Sequence, residues 1–160
     1  MTIAVGDQLP DVKLSTMTAD GPQPISSREA LGTGKVVLFG VPGAFTPTCS
    51  DYHLPGFVVR AEDLQAKGVD TIACISVNDA FVMGAWGAAQ NVGDSVLLLA
   101  DGNADFAKAT GLEMDGSGFG MGTRSKRFAA ILQDGVVTHL AVEPGGGLDV
   151  SSADAVLAAL

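Results

Sequence analysis

Positive charge is scarce in this chain. Nine lysines and arginines stand against 18 aspartates and glutamates, a formal net charge of -9, and such a surface repels phosphate backbones and anionic lipid headgroups alike. No nucleic-acid partner and no membrane partner are expected. Long apolar runs are missing too: nothing approaches the roughly 18 consecutive apolar residues of a spanning helix. The start MTIAVGDQLPDV has neither the basic n-region nor the apolar h-region of a signal peptide, so a cytoplasmic location is expected. Cysteine is limited to two residues, which in a reducing compartment are thiols rather than a structural bridge. Without a C-x-x-C, a disulfide oxidoreductase of the thioredoxin type is disfavoured. Two distant histidines and two separated cysteines do not make a zinc site.

What is present describes a packed protein. The 160 residues are 47% hydrophobic and 17% charged, enough for one domain over residues 1–160 with a core that needs no staples. The low charge density leaves much apolar area to cover, which favours self-association. Asp20-Gly21-Pro22 marks a turn between short N-terminal strands, and a brief helix enters at Ser26 or Ser27. Val36 to Val41, Thr71 to Val77 and Val96 to Ala100 are continuous apolar runs of the kind found in strands buried on both faces. Between them lie two helical patterns. One carries Leu54, Phe57, Val58, Ala61 and Leu64 and stops at Lys67-Gly68; the other is capped by Asn78 or Asp79 and carries Phe81, Val82, Ala85, Trp86 and Ala89. Strand alternating with helix predicts a parallel βαβ core.

Past the third strand, Asn103 can cap a short helix from Phe106 to Ala109, and a glycine-rich loop follows. Asp134-Gly135 between Phe128–Leu132 and Val136–Leu140 is a hairpin signal that adds an antiparallel pair. Ser151 with Asp154 resembles a capping box for a terminal helix ending in Val156-Leu157. The expected fold class is α/β: a mixed central sheet flanked by helices, with an N-terminal β extension. Gly32-Thr33-Gly34-Lys35 is not a phosphate loop, since a strand rather than a helix follows the lysine, and GSGFGMG lacks the G-x-G-x-x-G spacing. Both are loops.

The stretch PGAFTPTCS carries the chemistry. It leaves the carboxyl end of the first core strand and enters a helix, the place where α/β sheets meet their ligands. Cys49 therefore sits where free backbone N–H groups and the helix dipole favour thiolate over thiol. Pro42 and Pro47 fix backbone angles and remove competing donors, and the Thr46 hydroxyl can accept from one group while donating to another. A lone cysteine is ordinarily a small buried hydrophobe, but that role belongs within a strand, as for Cys74. A loop-to-helix junction behind two prolines marks Cys49 as a nucleophile.

Pro42-x-x-x-Thr46-x-x-Cys49 resembles the active-site motif of the peroxiredoxins, thiol peroxidases of thioredoxin-like fold, and VPGAFTPTCSDYHLPGF is similar to their type II, or peroxiredoxin-V-like, subfamily. The likeness continues through CISVNDAFVMGAW, LLLADGNADFAKATGL, RSKRFAAILQDGVV and LAVEPGG, nearly the whole chain. It implies that Cys49 is the peroxidatic cysteine, oxidised to a sulfenic acid by hydrogen peroxide or an alkyl hydroperoxide. Thr46 would bond thiolate and peroxide, Pro42 would shield the site, and the amides of Thr48 and Cys49 would stabilise the oxygens. Arg127, by itself an ordinary solvated strand-end residue, would be brought beside the sulfur. Arg124 is then a surface or loop-anchoring charge.

Many relatives of that subfamily carry a resolving cysteine near the C-terminus, where Val150 stands here. The departure favours a one-cysteine cycle, recycled by glutathione with glutaredoxin or by thioredoxin. Cys74 is the remaining candidate for a resolving cysteine, but inside an apolar strand the structural reading is favoured. His53 shapes the entrance or packs the helix, and His139 faces solvent. Phe45, Phe81 and Trp86 line the pocket, a dimer contact or the core, a homodimer being implied by the resemblance. No metal, flavin or haem is required, because sulfur carries the two electrons. The reading that competes with a scavenging enzyme is a peroxide sensor or thiol-redox relay partner using the same cysteine.

Overall fold

The computed structural model describes residues 2–160. Its centre is a seven-stranded sheet in the order β2-β1-β5-β4-β3-β8-β9. The strands are β1 (Lys13–Thr18), β2 (Gly21–Ser26), β3 (Lys35–Gly40), β4 (Thr71–Ser76), β5 (Leu97–Ala100), β8 (Phe128–Gln133) and β9 (Val136–Val142). The three apolar runs β3, β4 and β5 pair in parallel, and every other pairing in this sheet is antiparallel. The mixed sheet is therefore the expected one, with β1 and β2 as its N-terminal extension.

Alternation along the strands sorts side chains onto two faces. Val37, Phe39, Ile72, Cys74, Ala129 and Ile131 join one apolar cluster, whereas Val36, Leu38, Ala73, Ile75, Ala130 and Leu132 join the other. The first cluster is closed by α2 (Leu54–Val59), α3 (Ala61–Ala66), α4 (Ala80–Ala89) and α6 (Ala153–Ala159). The second is closed by Leu31 of α1 (Ser27–Leu31) and by Phe106 of α5 (Asp105–Thr110). Burial on both faces is why the core strands carry no polar alternation.

Local signals fixed several boundaries. Ser26 caps α1 in a full capping box with Glu29, and Asp79 caps α4 through the Val82 amide. Asp134 and Gly135 take φ of 50° and 83°, the left-handed pair of a tight hairpin turn between β8 and β9. GSGFGMG forms the turn between two further short strands, β6 (Glu113–Asp115) and β7 (Thr123–Ser125).

Four expectations need correction. The cap of α5 is not Asn103: Asp101 reaches forward to accept from the Phe106 and Ala107 amides, at 3.0 Å each, an acceptor too far back for a local cap pattern to reveal. The terminal helix is capped by Ser152 rather than Ser151. The face of α4 is also rotated. Ala80, Met83 and Trp86 are buried while Phe81, Ala85 and Ala89 are exposed, because a helix apolar on every side offers no stripe to read. The segment from Cys49 to Ala66 is not one helix, since a π-helical turn over Cys49–His53 precedes α2, and Arg60 breaks α2 from α3. Pro55 sits just past that turn. A proline ring clashes with the carbonyl four residues back, and the wider π spacing, with the Leu54 amide donating to the Cys49 carbonyl, accommodates it within a continuous turn.

Candidate active site

Strand β3 ends at Gly40, paired with Phe128 of β8. A side-chain carbon on Gly40 would overlap the Phe128 ring, so glycine is required for the two strands to lie this close. From there the chain passes through Pro42 to Cys49 in a loop that is tied down on several sides. The Ala44 amide donates to Asn78 Oδ1 at 3.0 Å, and Ser76 Oγ donates to the same oxygen at 2.6 Å. Arg124 Nη1 lies 3.5 Å from the Pro42 carbonyl and 3.4 Å from that of Val77, while its Nε donates to Met121 O at 2.9 Å. Arg124 is thus a loop anchor. Phe45 takes φ 65°, a left-handed conformation that costs a bulky residue about 1–3 kcal/mol and marks stored strain in the loop.

Cys49 opens the π-helical turn and is fully buried. Arg127, one residue before β8, is also buried, and its Nη2 donates to Cys49 Sγ at 3.2 Å. Two residues 78 apart in sequence are brought together because β8 lies antiparallel beside β3, so its start meets the end from which the Cys49 loop departs. A guanidinium donor aimed at sulfur stabilises negative charge there by a charge-assisted hydrogen bond. Arg127 Nε has no hydrogen-bond partner although buried, a cost on the order of 1–3 kcal/mol that packing must offset.

His53 completes the cluster. Its Nδ1 accepts from Arg127 Nη1 and its Nε2 meets the Ser151 carbonyl, both at 2.9 Å. A guanidinium can only donate and a carbonyl can only accept, so the ring is neutral with its hydrogen on Nε2. Burial, and next the Arg127 charge, lower its pKa from 6.5 to about 3, against weaker pulls from the Ser151 carbonyl and Glu143. The ring packs near Phe39, which stacks on Phe57 with centroids 4.0 Å apart. His53 was left open between two roles by the sequence; its spacing from Cys49, four residues along one helix, is the signal that places both on one face.

The other expected residues fall as follows. Thr46 Oγ1 donates to the Gly43 carbonyl at 2.7 Å, committing its hydrogen within the loop and leaving lone pairs to accept. Pro42 is partly buried beside the anchored loop. Trp86 is core, with its Nε1 donating to Ser50 Oγ at 3.0 Å, and it lines neither pocket nor surface. Phe45 and Phe81 are exposed. His139 is half-buried on β9 rather than facing solvent, because its pairing with Ile131 covers one side of it. Glu143 was not singled out from sequence, and Asn78 and Ser151 were read only as helix caps, since each reaches the site through a loop whose course no local pattern reveals.

Cys74 lies in mid-β4, fully buried in the same apolar cluster as Cys49, and both are free thiols. Burial pushes its pKa well above the ordinary value, and the Cys49 sulfur adds to that while Arg127 opposes it. Among the described residues no group of three or more His, Cys, Asp or Glu could hold a metal ion, and no helix is long and apolar enough to cross a membrane.

Comparison with known proteins gives the family and the fold. The Redoxin family model matches residues 4–157. Peroxiredoxin-2E-2, chloroplastic, of Oryza sativa subsp. japonica is 54% identical over 99% of this chain and 73% of its own length. Peroxiredoxin-2B of Arabidopsis thaliana is 50% identical over 99% of this chain and 98% of its own. The crystal structure of reduced Prx3 in complex with H2O2 from Vibrio vulnificus superposes with a TM-score of 0.94 at 56% identity, covering 99% of each chain. The mixed sheet is thus of thioredoxin-like fold. With a family model spanning almost the whole chain and relatives at half identity over nearly all of it, the chain belongs to the Redoxin family and, within it, to the peroxiredoxins, the thiol peroxidases.

Proposed function

We propose that the chain works as one domain over residues 1–160 and reduces hydrogen peroxide and alkyl hydroperoxides in a one-cysteine cycle. The observation that carries this is the buried Arg127 Nη2 to Cys49 Sγ bond of 3.2 Å, in which a nucleophilic sulfur and a cation share one buried site. Cys49 attacks as the thiolate. Its sulfur forms a bond to one peroxide oxygen, the O–O bond breaks, and the departing oxygen leaves as water or alcohol after taking a proton. Sulfur loses two electrons and the peroxide gains them.

Arg127 holds the charge as it moves from sulfur to the leaving oxygen, and its unpaired Nε–H is one more donor on the same guanidinium. Thr46, its hydrogen given to Gly43, accepts from the peroxide O–H. Pro42 keeps water from the sulfur, and the Thr48 and Cys49 amides support the oxygens. An external thiol then attacks the sulfenic sulfur and expels water, and a second thiol releases Cys49 by disulfide exchange. Glutathione with glutaredoxin, or thioredoxin, supplies these thiols, because Val150 cannot resolve and Cys74 is buried in β4.

A homodimer is supported by exposed aromatics around the active-site loop. Phe45 lies within it, Phe81 is the second residue of α4, two past the Asp79 cap, and Phe119 lies in the β6–β7 turn. The compartment we favour is the cytoplasm, although two relatives are named as chloroplastic. A peroxide sensor or redox relay partner would use the same cysteine without sustained turnover.

Intact mass after one equivalent of hydrogen peroxide, with a sulfenic-acid trap and then with glutathione, tests the reading. Trapped sulfenic acid, or a glutathione adduct, is expected in the wild type and not in Cys49→Ser. An internal Cys49–Cys74 disulfide would replace the one-cysteine cycle, and no rapid reaction would overturn the peroxidase assignment for this cysteine. Steady turnover with glutathione and glutaredoxin, or with thioredoxin, separates the enzyme from the sensor.

A further inference from the structure

Glu143 follows the last residue of β9 and is buried despite its charge. Its Oε2 accepts three hydrogen bonds: from the Asp149 amide at 2.8 Å, the Ser151 amide at 2.8 Å and Ser151 Oγ at 2.7 Å. Burial works against ionisation, but these bonds hold its carboxyl below the ordinary range. The segment it grips cannot hold itself. Gly145, Gly146 and Gly147 run in succession with no atoms near the positions where side chains would begin, and consecutive glycines carry the largest conformational entropy to be lost on ordering.

What the gripped segment delivers is one atom. The Ser151 carbonyl meets His53 Nε2 at 2.9 Å, His53 Nδ1 accepts from Arg127 Nη1 at 2.9 Å, and Arg127 Nη2 donates to Cys49 Sγ at 3.2 Å. Glu143 also holds Arg127 from behind, its own amide donating to the Arg127 carbonyl at 2.9 Å. We propose that Glu143 is a positioning residue for the peroxidase reaction, fixing the Arg127 guanidinium on Cys49 through Ser151 and His53; this rests on the reading of Cys49 given above.

The physical need is a tautomer. Without Glu143 the Ser151 carbonyl is free to drift, and a buried Nε2–H that loses its acceptor costs on the order of 1–3 kcal/mol. The ring escapes that cost by moving its hydrogen to Nδ1. There the hydrogen would face the Arg127 Nη1–H, two donors in opposition, and the guanidinium must turn away from the sulfur. A displacement near 1 Å at a reacting centre can cost about a hundredfold in rate.

Two measurements decide it. The first is 15N NMR of the imidazoles, simple to assign because the chain has only two histidines. Reduced wild type should show His53 neutral with its hydrogen on Nε2 from pH 5 to 8, and Glu143→Ala should show a mixture of tautomers. The second is the rate constant for oxidation by hydrogen peroxide, expected to fall at least about tenfold in Glu143→Ala. It should return to within about threefold of wild type in Glu143→Gln, whose amide oxygen still accepts. Should Glu143→Ala fail to fold, Glu143→Asp, too short to reach both amides, carries the same two readouts.

A wild-type His53 with its hydrogen on Nδ1, or protonated at neutral pH, would overturn the proposal. So would a folded variant with unchanged His53 signals and a rate within about twofold. If instead the wild type does not react with peroxide, the Cys49 reading fails by itself, and the NMR comparison still tests whether Glu143 sets the tautomer.

Discussion

Cys49 and Cys74 share one apolar cluster, and both are 0% exposed. Their surroundings differ in a single respect that matters. Cys74 lies between Phe39 of β3 and Leu98 of β5 in the ladder, where backbone donors are consumed by strand pairing and burial pushes the thiol pKa up. Cys49 lies where a strand has ended, and Arg127 reaches it. Burial penalises a thiolate at Cys74, whereas at Cys49 a buried guanidinium donates to the sulfur. Solvent exposure therefore does not distinguish the two thiols; the identity of the hydrogen-bond partner does.

The largest break in this contrast comes from removing the fork of the cation while keeping its charge. Arg127→Lys cannot bond the Cys49 sulfur and His53 Nδ1 together, because one ammonium lacks the planar geometry that spans both. The rate constant for peroxide oxidation of Cys49 should fall by about a hundredfold or more, as for loss of a preorganised donor to developing charge. Arg124→Lys is the matched control. Arg124 anchors the loop through carbonyls and does not touch the sulfur, so stopped-flow oxidation should show a much smaller loss, and equal losses would erase the distinction.

Sequence made one side of this comparison far more legible than the other. Cys49 announces itself through Pro42, Pro47 and Thr46, which are close in sequence, and Cys74 through the apolar run around it. The sheet was legible for the same reason, since continuous apolar strands and the Asp134-Gly135 turn are local signals. Arg127 needed the family resemblance, because only the antiparallel β3–β8 pairing places a residue 78 positions away on the sulfur. Glu143 and Ser151 stayed hidden, as a glycine-rich loop carries no periodicity. The face of α4 stayed hidden for the opposite reason: its residues are apolar all round, and which side turns inward depends on β1 and β5 rather than on the helix.

An intermediate effect follows from His53, which meets the same Arg127 that donates to Cys49. Its pKa is lowered from 6.5 to about 3 in the folded protein, so between those values the unfolded chain binds a proton that the native state refuses. Stability contributed by neutral His53 is complete above pH 6.5 and is lost progressively as pH falls toward 3. The total is on the order of a few kcal/mol. Urea midpoints should therefore fall from pH 7 to pH 4 in the wild type, and the fall should be shallower in His53→Gln. Parallel curves would mean that His53 is protonated in the fold and that its contact with Arg127 is not the one described.

The smallest effect should come from Cys74. Alanine there removes one sulfur from a packed strand without stranding a polar atom, so the loss is a small cavity worth about 1–2 kcal/mol. A melting temperature lower by several degrees is expected at this size. Peroxide oxidation of Cys49 should stay within about twofold of wild type, since Cys74 forms no bond to the Arg127 cluster. Serine is the sharper variant, because its hydroxyl would need a partner in an apolar strand and should cost more stability with the same rate. A disulfide with Cys49 requires Cα atoms within about 7 Å, and β4 is held on both sides by β3 and β5, so the Cys49 turn would have to supply the movement. If Cys74→Ala oxidises normally but no longer recycles with an external thiol, that movement occurs, and the two cysteines form a pair rather than a contrast.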